Sequence, residues 1–293
     1  MKRLWPRNAP ILPDIPLRSL VSLPCVATYL DRILEHHRAV ASADDRSLDA
    51  LIEQALAVAE PRGFRLAIQS VDDDLMAVIA EVKRRSPSRG DLAVDLDPAE
   101  TASAYVAGGA VCLSVLTDGE HFGGSAADLR SARASVPVPV LRKDFTVDAR
   151  DVCDAALMGA DAVLLIAAAL DDSELADFMA LAGELGLDAL AEVHDEAELE
   201  RVLVAGADIV GVNQRDLVTF EVDPDRARRV GASIPPEVER VAESGVRGPE
   251  DAGALYDAGF RAVLVGESLV TSGDRSGAVA ALVAAGSAGA GAG

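Results

Sequence analysis

The stretch LMGADAVLLIA, Leu157–Ala167, decides the fold. A helical, alanine-rich pattern ends at Gly159, and an uninterrupted apolar run follows almost at once. The same arrangement occurs in VAGGAV, VAGADIV and DAGFRAV, whose glycines are Gly109, Gly206 and Gly259. Each glycine is expected to take the left-handed conformation that ends a helix before a strand. The chain therefore predicts a repeated helix-to-strand unit.

Eight short apolar runs alternate with helical patterns from Ala77 onward. They cover residues 77–83, 111–117, 138–143, 162–167, 188–193, 208–213, 237–244 and 261–268. Near-continuous apolar strands are typical of a parallel sheet that is covered on both faces, so the pattern predicts an α/β fold, a parallel (β/α)8 TIM barrel. An open doubly wound sheet is the alternative. It is disfavoured because no GxGxxG follows the first strand and because eight evenly sized units suit closure.

The segments outside the barrel predict a simple domain organisation. Residues 1–25, rich in proline, are expected to be a disordered leader or to precede the true start of the protein. Residues 26–76 show helical spacing and predict an N-terminal helical extension. The barrel is expected to cover residues 77–285, and a flexible Gly/Ala tail residues 286–293.

Composition restricts the classes of partner. The chain of 293 residues has 27 Lys and Arg against 48 Asp and Glu, a net charge of −21 that disfavours nucleic acid and anionic membrane surfaces. The three cysteines, Cys25, Cys112 and Cys153, lack CxxC spacing and are interpreted as small hydrophobes in a reducing compartment. No uninterrupted apolar run reaches the ~18 residues of a membrane span. We therefore predict a cytoplasmic protein.

Polar residues end several of the predicted strands. In a (β/α)8 barrel these ends converge on one mouth, where the active site forms. The residues are Glu81 and Lys83, Lys143, Glu192, Asn213 with Arg215 beyond it, and Glu243 with Ser244. Inward-facing charges are costly unless they are paired or used, so the set predicts a site for an anionic substrate. Glu81 and Lys83 share a strand face, which would orient the lysine.

The histidines are predicted to be neither catalytic residues nor metal ligands. His194 is assigned the opposite strand phase to Glu192 and is predicted to be a loop or supporting residue rather than a catalyst. The spacing of His36, His37 and His121 does not suggest metal ligands, and no metal site is predicted.

The last two strands predict a phosphate site. Gly245 and Gly266 follow them, each with a helix-starting pattern behind it, so backbone N–H groups would face an anion. Ser244 and Ser268 would add hydroxyl donors. Phosphate sites of (β/α)8 barrels lie after strands seven and eight, where these residues occur.

The direction of Lys143 cannot be derived from its own strand. In VPVPVLRKDF, Val136–Phe145, alternation places Arg142 on one face and Lys143 on the other. It does not show which face points inward.

These segments resemble the indole-3-glycerol phosphate synthase family of tryptophan biosynthesis. The resemblance extends from about residue 27 to 270 and rests on IAEVKRRSPSRG, LSVLTDGEHFGGS, PVLRKDF, GADAVLLI, LAEVHDEAEL, GVNQRDL, VAESGVRGPED and VLVGESLV. It implies a cofactor-free lyase that converts 1-(2-carboxyphenylamino)-1-deoxyribulose 5-phosphate to indole-3-glycerol phosphate, with loss of carbon dioxide and water. The KDF motif then implies that Lys143 points into the mouth.

The resemblance also implies residue roles. Lys143 corresponds to the general acid of condensation, Glu192 to the base that completes dehydration, and Lys83 to the lysine that pairs with the substrate carboxylate. Glu81 and Asn213 would orient these groups, with Arg215 beside them. The expected substrate-binding residues are Ser86, Phe122, Phe145, Arg215, Glu243 and Ser244, and the expected phosphate-binding residues are Ser86, Gly245, Gly266, Glu267 and Ser268.

The same resemblance implies that the N-terminal helices cover the barrel mouth. It further implies a small phosphorylated substrate as partner, and a monomer or weak homodimer. Two other readings of the site stay open at this point. One is an isomerase of tryptophan or histidine biosynthesis, which would use Asp or Cys as acid and base. The other is a barrel that binds a phosphorylated ligand as a sensor without turnover, from which a lysine or glutamate would be expected to be missing.

Overall fold

A computed structural model describes residues 28–87 and 89–286, and eight parallel strands close into a barrel at its centre. The barrel strands are β1 (Ala77–Val82), β4 (Cys112–Leu116), β5 (Val140–Lys143), β6 (Ala162–Ile166), β7 (Asp188–Val193), β8 (Ile209–Asn213), β9 (Glu239–Glu243) and β10 (Ala262–Val265). They pair in chain order, and β10 closes on β1. All eight predicted strands are confirmed, and the open-sheet alternative is wrong. A short antiparallel pair that was not predicted follows β1 and consists of β2 (Arg85–Ser86) and β3 (Gly90–Asp91).

Helices surround the barrel. They are α4 (Pro98–Ala107), α5 (Ala126–Ser135), α6 (Ala149–Met158), α7 (Asp172–Glu184), α8 (Glu196–Val204), α9 (Pro224–Gly231), α10 (Pro249–Asp257), α11 (Glu267–Val270) and α12 (Arg275–Val283). The four repeated glycines have φ of +99° (Gly109), +87° (Gly159), +91° (Gly206) and +91° (Gly259), as predicted from their position between helix and strand. The strands are almost entirely buried because helices cover them outside and side chains fill the barrel inside.

Three further helices precede the barrel: α1 (Tyr29–Ser42), α2 (Leu48–Leu56) and α3 (Phe64–Gln69). Helix α1 lies beside the mouth, since Arg38 donates to the carbonyl of Ala169, just after β6, and pairs with Glu174. Helix α2 packs along α6 on the barrel side, where Arg46 pairs with Asp154.

Helix α3 lies at the opposite end of the barrel. The Phe64 ring is fully buried, and its carbonyl accepts from the thiol of Cys112 at the start of β4. The backbone N–H of Arg65 donates to Asp188, at the start of β7. The expectation that the whole extension covers the mouth is therefore wrong. Of these three helices, α1 lies at the mouth and α2 lies along the barrel side. The buried Phe64 ring anchors α3 at the barrel bottom.

Some predictions concern residues outside the described ranges. The leader (1–25), Cys25 and the tail after Gly286 fall there. Cys112 and Cys153 are buried free thiols, in line with their predicted hydrophobic role. None of the helices in the described ranges has the length and apolar character that a membrane crossing requires.

Candidate active site

The carboxyl ends of the strands surround a cavity of about 640 Å³. Every residue that the sequence predicted for catalysis, substrate binding or phosphate binding lines this cavity. Its lining also includes four apolar residues from the barrel strands, Leu116, Leu164, Ile166 and Leu264. The barrel therefore brings together groups that lie as far apart in sequence as Glu81 and Ser268.

Lys143 lies at the centre of a buried charged network. Its Nζ donates to Glu192 Oε2 at 2.9 Å and lies 3.4 Å from Glu243 Oε2. Asn213 Nδ2 donates to the other oxygen of Glu192 at 2.9 Å, and Asn213 Oδ1 accepts from the backbone N–H of Arg215 at 3.0 Å. Strands β5, β7, β8 and β9 each supply one member, so closure of the barrel fixes their relative positions.

A second ion pair lies at the end of β1, which is separated from β5 by β4 alone. Lys83 Nζ is 2.5 Å from Glu81 Oε1, which agrees with their shared strand face. Gly266 leaves room for this pair, because a Cβ on Gly266 would overlap Glu81 Oε1 and lie 3.1 Å from Lys83 Nζ. The cavity therefore holds two lysines, each oriented by a carboxylate.

Burial and charge set the protonation of the network. Burial alone lowers the pKa of Lys143, but the carboxylates of Glu192, Glu243 and Glu81 outweigh it and raise that pKa above its usual range. Burial raises the pKa of Glu192, but the charges of Lys143 and His194 and the hydrogen bonds from Asn213 and Lys143 bring it down to about 2. The pKa of Glu243 rises to about 8, because of burial and the neighbouring Glu192 and Glu81. Glu243 therefore holds a proton more readily than Glu192 does.

The strand phase assigned to His194 is wrong. Residues two apart share a face, and His194 Nε2 lies 3.7 Å from Glu192 Oε1. The ring is held by Glu198, whose Oε2 lies 3.1 Å from His194 Nδ1, and Nε2 has no hydrogen-bond partner among the described residues. His194 therefore belongs to the surroundings of Glu192, as a neighbour whose charge lowers the Glu192 pKa.

Two phenylalanines form an apolar wall of the cavity. The rings of Phe122, after β4, and Phe145, after β5, lie with centroids 6.3 Å apart and planes inclined by 39°. The cavity that holds Lys143 therefore includes a region that suits a flat aromatic group. Its neighbour Arg142 points away from the cavity and donates to the carbonyl of Asp151 in α6.

The predicted phosphate side contains two glycines and two serines. Gly245 has φ of +76° and Ser244 has φ of +63°, so the chain turns sharply after β9. Helix α11 begins directly after Gly266, but α10 begins only at Pro249, so Gly245 belongs to a loop rather than to a helix N-terminus. The side chain of Glu267 pairs with Arg89 at 3.1 Å, so only its backbone is available to an anion.

Other residues of the cavity were missed. Arg89, Arg228 and Arg247 also line it, and Arg89 pairs with Glu267 of the predicted phosphate site. Phe220 and Leu217, in the loop after β8, line it as well. These residues lie several positions beyond the strand ends, so their sequence positions do not predict that they line the cavity. Their locations depend on how each loop folds back over the mouth. Arg84 and Arg85 do not line the cavity, and Arg84 pairs with Asp128 of α5 instead.

We expect Gly211→Ala to reduce kcat/KM by about tenfold to 10²-fold, because displacement of catalytic groups by ~1 Å has effects of that size. Gly211 lies in β8, and a Cβ there would overlap Glu243 Oε1 and lie 3.1 Å from its Cδ. The buried carboxylate would have to move away from Lys143. Gly183→Ala is the matched control, since a Cβ at that helical position meets nothing within 4 Å. Steady-state kinetics that are unchanged in Gly211→Ala would contradict the prediction.

Glu243 is expected to make stability fall with rising pH. Its folded-state pKa of about 8 lies above its ordinary value of 4.5, so the stabilisation is complete below pH 4.5 and is lost as the pH rises through 8. One proton contributes a slope of at most about 1.4 kcal/mol per pH unit. Urea unfolding between pH 5 and 8 should therefore show a flatter profile for Glu243→Gln. Parallel profiles for wild type and Glu243→Gln would contradict this, and exposed Glu184→Gln is the control.

Fold and site together define a class of protein: a (β/α)8-barrel enzyme with a lysine–glutamate centre for a small anionic substrate. The family model of indole-3-glycerol phosphate synthase matches residues 30–282. The synthase of Mycobacteroides abscessus is 50% identical over 259 residues, which are 88% of this chain and 95% of the relative. A Streptomyces coelicolor relative, indole-3-glycerol phosphate synthase 1, is 50% identical over 261 residues (88% and 96%). The chain belongs to the indole-3-glycerol phosphate synthase family, the carboxy-lyases of tryptophan biosynthesis.

Solved structures with low sequence identity show the fold alone. Thiamine phosphate pyrophosphorylase from Pyrococcus furiosus aligns with a TM-score of 0.53 at 16% identity, covering 72% of this chain and 94% of that one. The N-acetylmannosamine-6-phosphate 2-epimerase from Clostridium perfringens aligns with a TM-score of 0.54 at 13% identity (69% and 89%). The readings as a pathway isomerase and as a sensor without turnover are set aside, because the family match covers the whole barrel.

Proposed function

We propose that the lysine–glutamate centre closes the indole ring of 1-(2-carboxyphenylamino)-1-deoxyribulose 5-phosphate by general acid–base catalysis. The observation that carries the proposal is the buried contact of Lys143 with Glu192 and Glu243, in a cavity that the wall of Phe122 and Phe145 also lines. Such a wall suits the anthranilate ring, and a charged lysine beside it can donate a proton to the ketone oxygen.

Lys143 acts in the first step. The ring carbon that carries the carboxylate attacks the C2 carbonyl of the deoxyribulose, and Lys143 gives its proton to the carbonyl oxygen. Negative charge develops on that oxygen as the C–C bond forms, which makes it basic enough to take a proton from an ammonium of raised pKa. Glu243 lies 3.4 Å from Lys143 Nζ, and its raised pKa suits it to return a proton to the lysine.

Lys83 and Glu192 act in the later steps. Lys83 pairs with the substrate carboxylate until the C–C bond to it breaks and carbon dioxide leaves, which restores the aromatic ring. Lys83 then protonates the departing hydroxyl, and Glu192 takes the proton that completes the loss of water. Glu81 and Asn213 hold the two active groups in position through their contacts with Lys83 and Glu192.

The phosphate binds at the ends of β9 and β10, next to β1. Backbone N–H groups at Gly245 and Gly266, the hydroxyls of Ser86 and Ser268, and the backbone at Glu267 provide the donors in this proposal. In the free protein, the Ser268 hydroxyl donates to the carbonyl of Val246 at 3.1 Å, so it must rotate to meet the phosphate. Ser244 and Arg215 line the space between phosphate and ring.

The remaining proposals concern the domains, the cofactor requirement, the cellular location and the oligomeric state. We propose that residues 26–76 support a catalytic barrel formed by residues 77–285, that the reaction needs no cofactor, and that the enzyme acts in the cytoplasm as a monomer or weak homodimer. The net charge of −21 favours a small-molecule partner over nucleic acid or an anionic membrane. Size-exclusion chromatography with light scattering tests the oligomeric state.

Indole fluorescence tests the activity and its cofactor requirement together. Chelator-treated protein mixed with the carboxyphenylamino-deoxyribulose phosphate should develop product fluorescence without added metal or nucleotide. The absence of a signal at micromolar enzyme would overturn the cofactor-free mechanism. Inorganic phosphate should compete with the substrate, because it would occupy the site around Gly245 and Gly266.

A further inference from the structure

Two histidines and a carboxylate meet at the rim of the mouth, where α1 approaches the loop after β4. His37 Nε2 and His121 Nδ1 each lie 2.9 Å from Asp118 Oδ2, and the three donor atoms lie within 4.8 Å of one another. We infer that His37, Asp118 and His121 form a binding site for a divalent transition metal ion of the zinc class. The sequence gives no sign of it, because 81 positions separate His37 from Asp118.

The donor set suits this metal. Two imidazole nitrogens and one carboxylate oxygen are ligands that Zn²⁺ accepts, and three protein ligands leave a fourth position for water. Bonds of ~2.0–2.1 Å place tetrahedral donors roughly 3.3 Å apart, so the two 2.9 Å contacts need to open by only a few tenths of an ångström. The ion replaces the proton in each contact, and each ring keeps its proton on its other nitrogen.

The carboxylate is already oriented for this task. Asp118 Oδ1 accepts from the backbone N–H groups of His121 at 2.6 Å and Phe122 at 3.2 Å, which leaves Oδ2 directed at the two rings. Partners of this kind fix a metal ligand and strengthen binding. Asp118 is buried, and a second buried carboxylate, Asp144, places Oδ1 3.9 Å from His37 Nε2 while its Oδ2 pairs with Arg142 at 3.1 Å.

A bound ion would tie α1 to the loop between β4 and α5. The His37 ring lies 5.3 Å from the ring of Phe145, and His121 directly precedes Phe122. The site therefore adjoins the aromatic wall of the cavity, which Asp118 also lines. The ion contributes no step to ring closure, so this inference stands or falls separately from the acid–base roles.

Metal titration of the full chain tests the inference. Chelator-treated protein should bind one equivalent of Co²⁺ with visible d–d absorption, and Zn²⁺ should displace it. His37→Gln and His121→Gln should each weaken binding by at least about tenfold, since even the loss of supporting partners costs 10–100-fold. One equivalent of Zn²⁺ should raise the Tm of the wild type and leave that of His37→Gln unchanged.

His36→Gln is the matched control. His36 is the adjacent exposed histidine, paired with Glu120 at 3.2 Å, and this variant should bind Co²⁺ within about threefold of wild type, a much smaller change than ligand loss. Circular dichroism of each metal-free variant establishes that it is folded. The inference is overturned if wild type shows no d–d band with excess Co²⁺, if His37→Gln and His121→Gln both bind like wild type, or if His36→Gln loses as much affinity as they do.

Discussion

Lys143→Ala is expected to lower kcat for ring closure by roughly 10²–10⁴-fold, the usual contribution of a general acid. The change removes the proton donor while the apolar wall and the predicted phosphate site stay in place. KM should change little by comparison, because the substrate carboxylate is assigned to Lys83. Continuous indole fluorescence under saturating substrate measures the effect.

The same substitution also removes the cation between Glu192 and Glu243, so stability must be measured beside activity. Lys143→Met keeps the aliphatic stem and serves as the matched variant, with the same expected loss of kcat. Thermal unfolding should show both variants folded at the assay temperature. A raised KM with kcat at the wild-type value would refute the acid role of Lys143.

Glu192→Gln is expected to give a loss of similar size, roughly 10²–10⁴-fold in kcat, because it removes the proposed base without changing the shape of the side chain. The timing of the steps gives a sharper test. If Glu192 completes dehydration after decarboxylation, a single turnover of this variant should release carbon dioxide before indole fluorescence appears. Labelled carboxylate and stopped-flow fluorescence follow the two events separately.

The control for Glu192→Gln is Glu200→Gln, an exposed position on α8, which should keep wild-type kcat. Glu192→Gln itself should retain the contact with Asn213, since the glutamine oxygen accepts the same hydrogen bond. Carbon dioxide and fluorescence that are delayed together, with no interval between them, would place the role of Glu192 in an earlier step.

Much of the site could be predicted because the strands of the barrel are parallel, so the residues that follow each strand all lie at the same end of the barrel. A polar residue at the end of an apolar strand must lie at the mouth, and Glu81, Lys143, Glu192 and Asn213 all do so. The direction of Lys143 needed more than alternation, since both faces of its strand are buried. It followed from the resemblance of KDF to a known family, and the contact of Lys143 with Glu192 agrees with it.

The errors have physical causes as well. The strand phase of His194 was wrong because residues two apart, such as Glu192 and His194, share a strand face. The position of the His194 ring near Glu192 also depends on Glu198, which holds the ring from another element. The extension was expected at the mouth as a whole, but the burial of Phe64 places α3 at the opposite end. The meeting of His37 with His121 also escaped prediction, because it depends on how α1 crosses the barrel rim.

The sequence by itself determined the eight strands, the glycines that end the preceding helices, and the polar residues that follow the strands. These features depend on residues close in the chain, through alternation, capping and burial. Only the tertiary structure decided the contacts of Lys143 with Glu243 and of His37 with Asp118, and the protonation that follows from them. Those properties arise between side chains from separate elements, and their distances are set by the closure of the barrel and the packing of α1 on its rim.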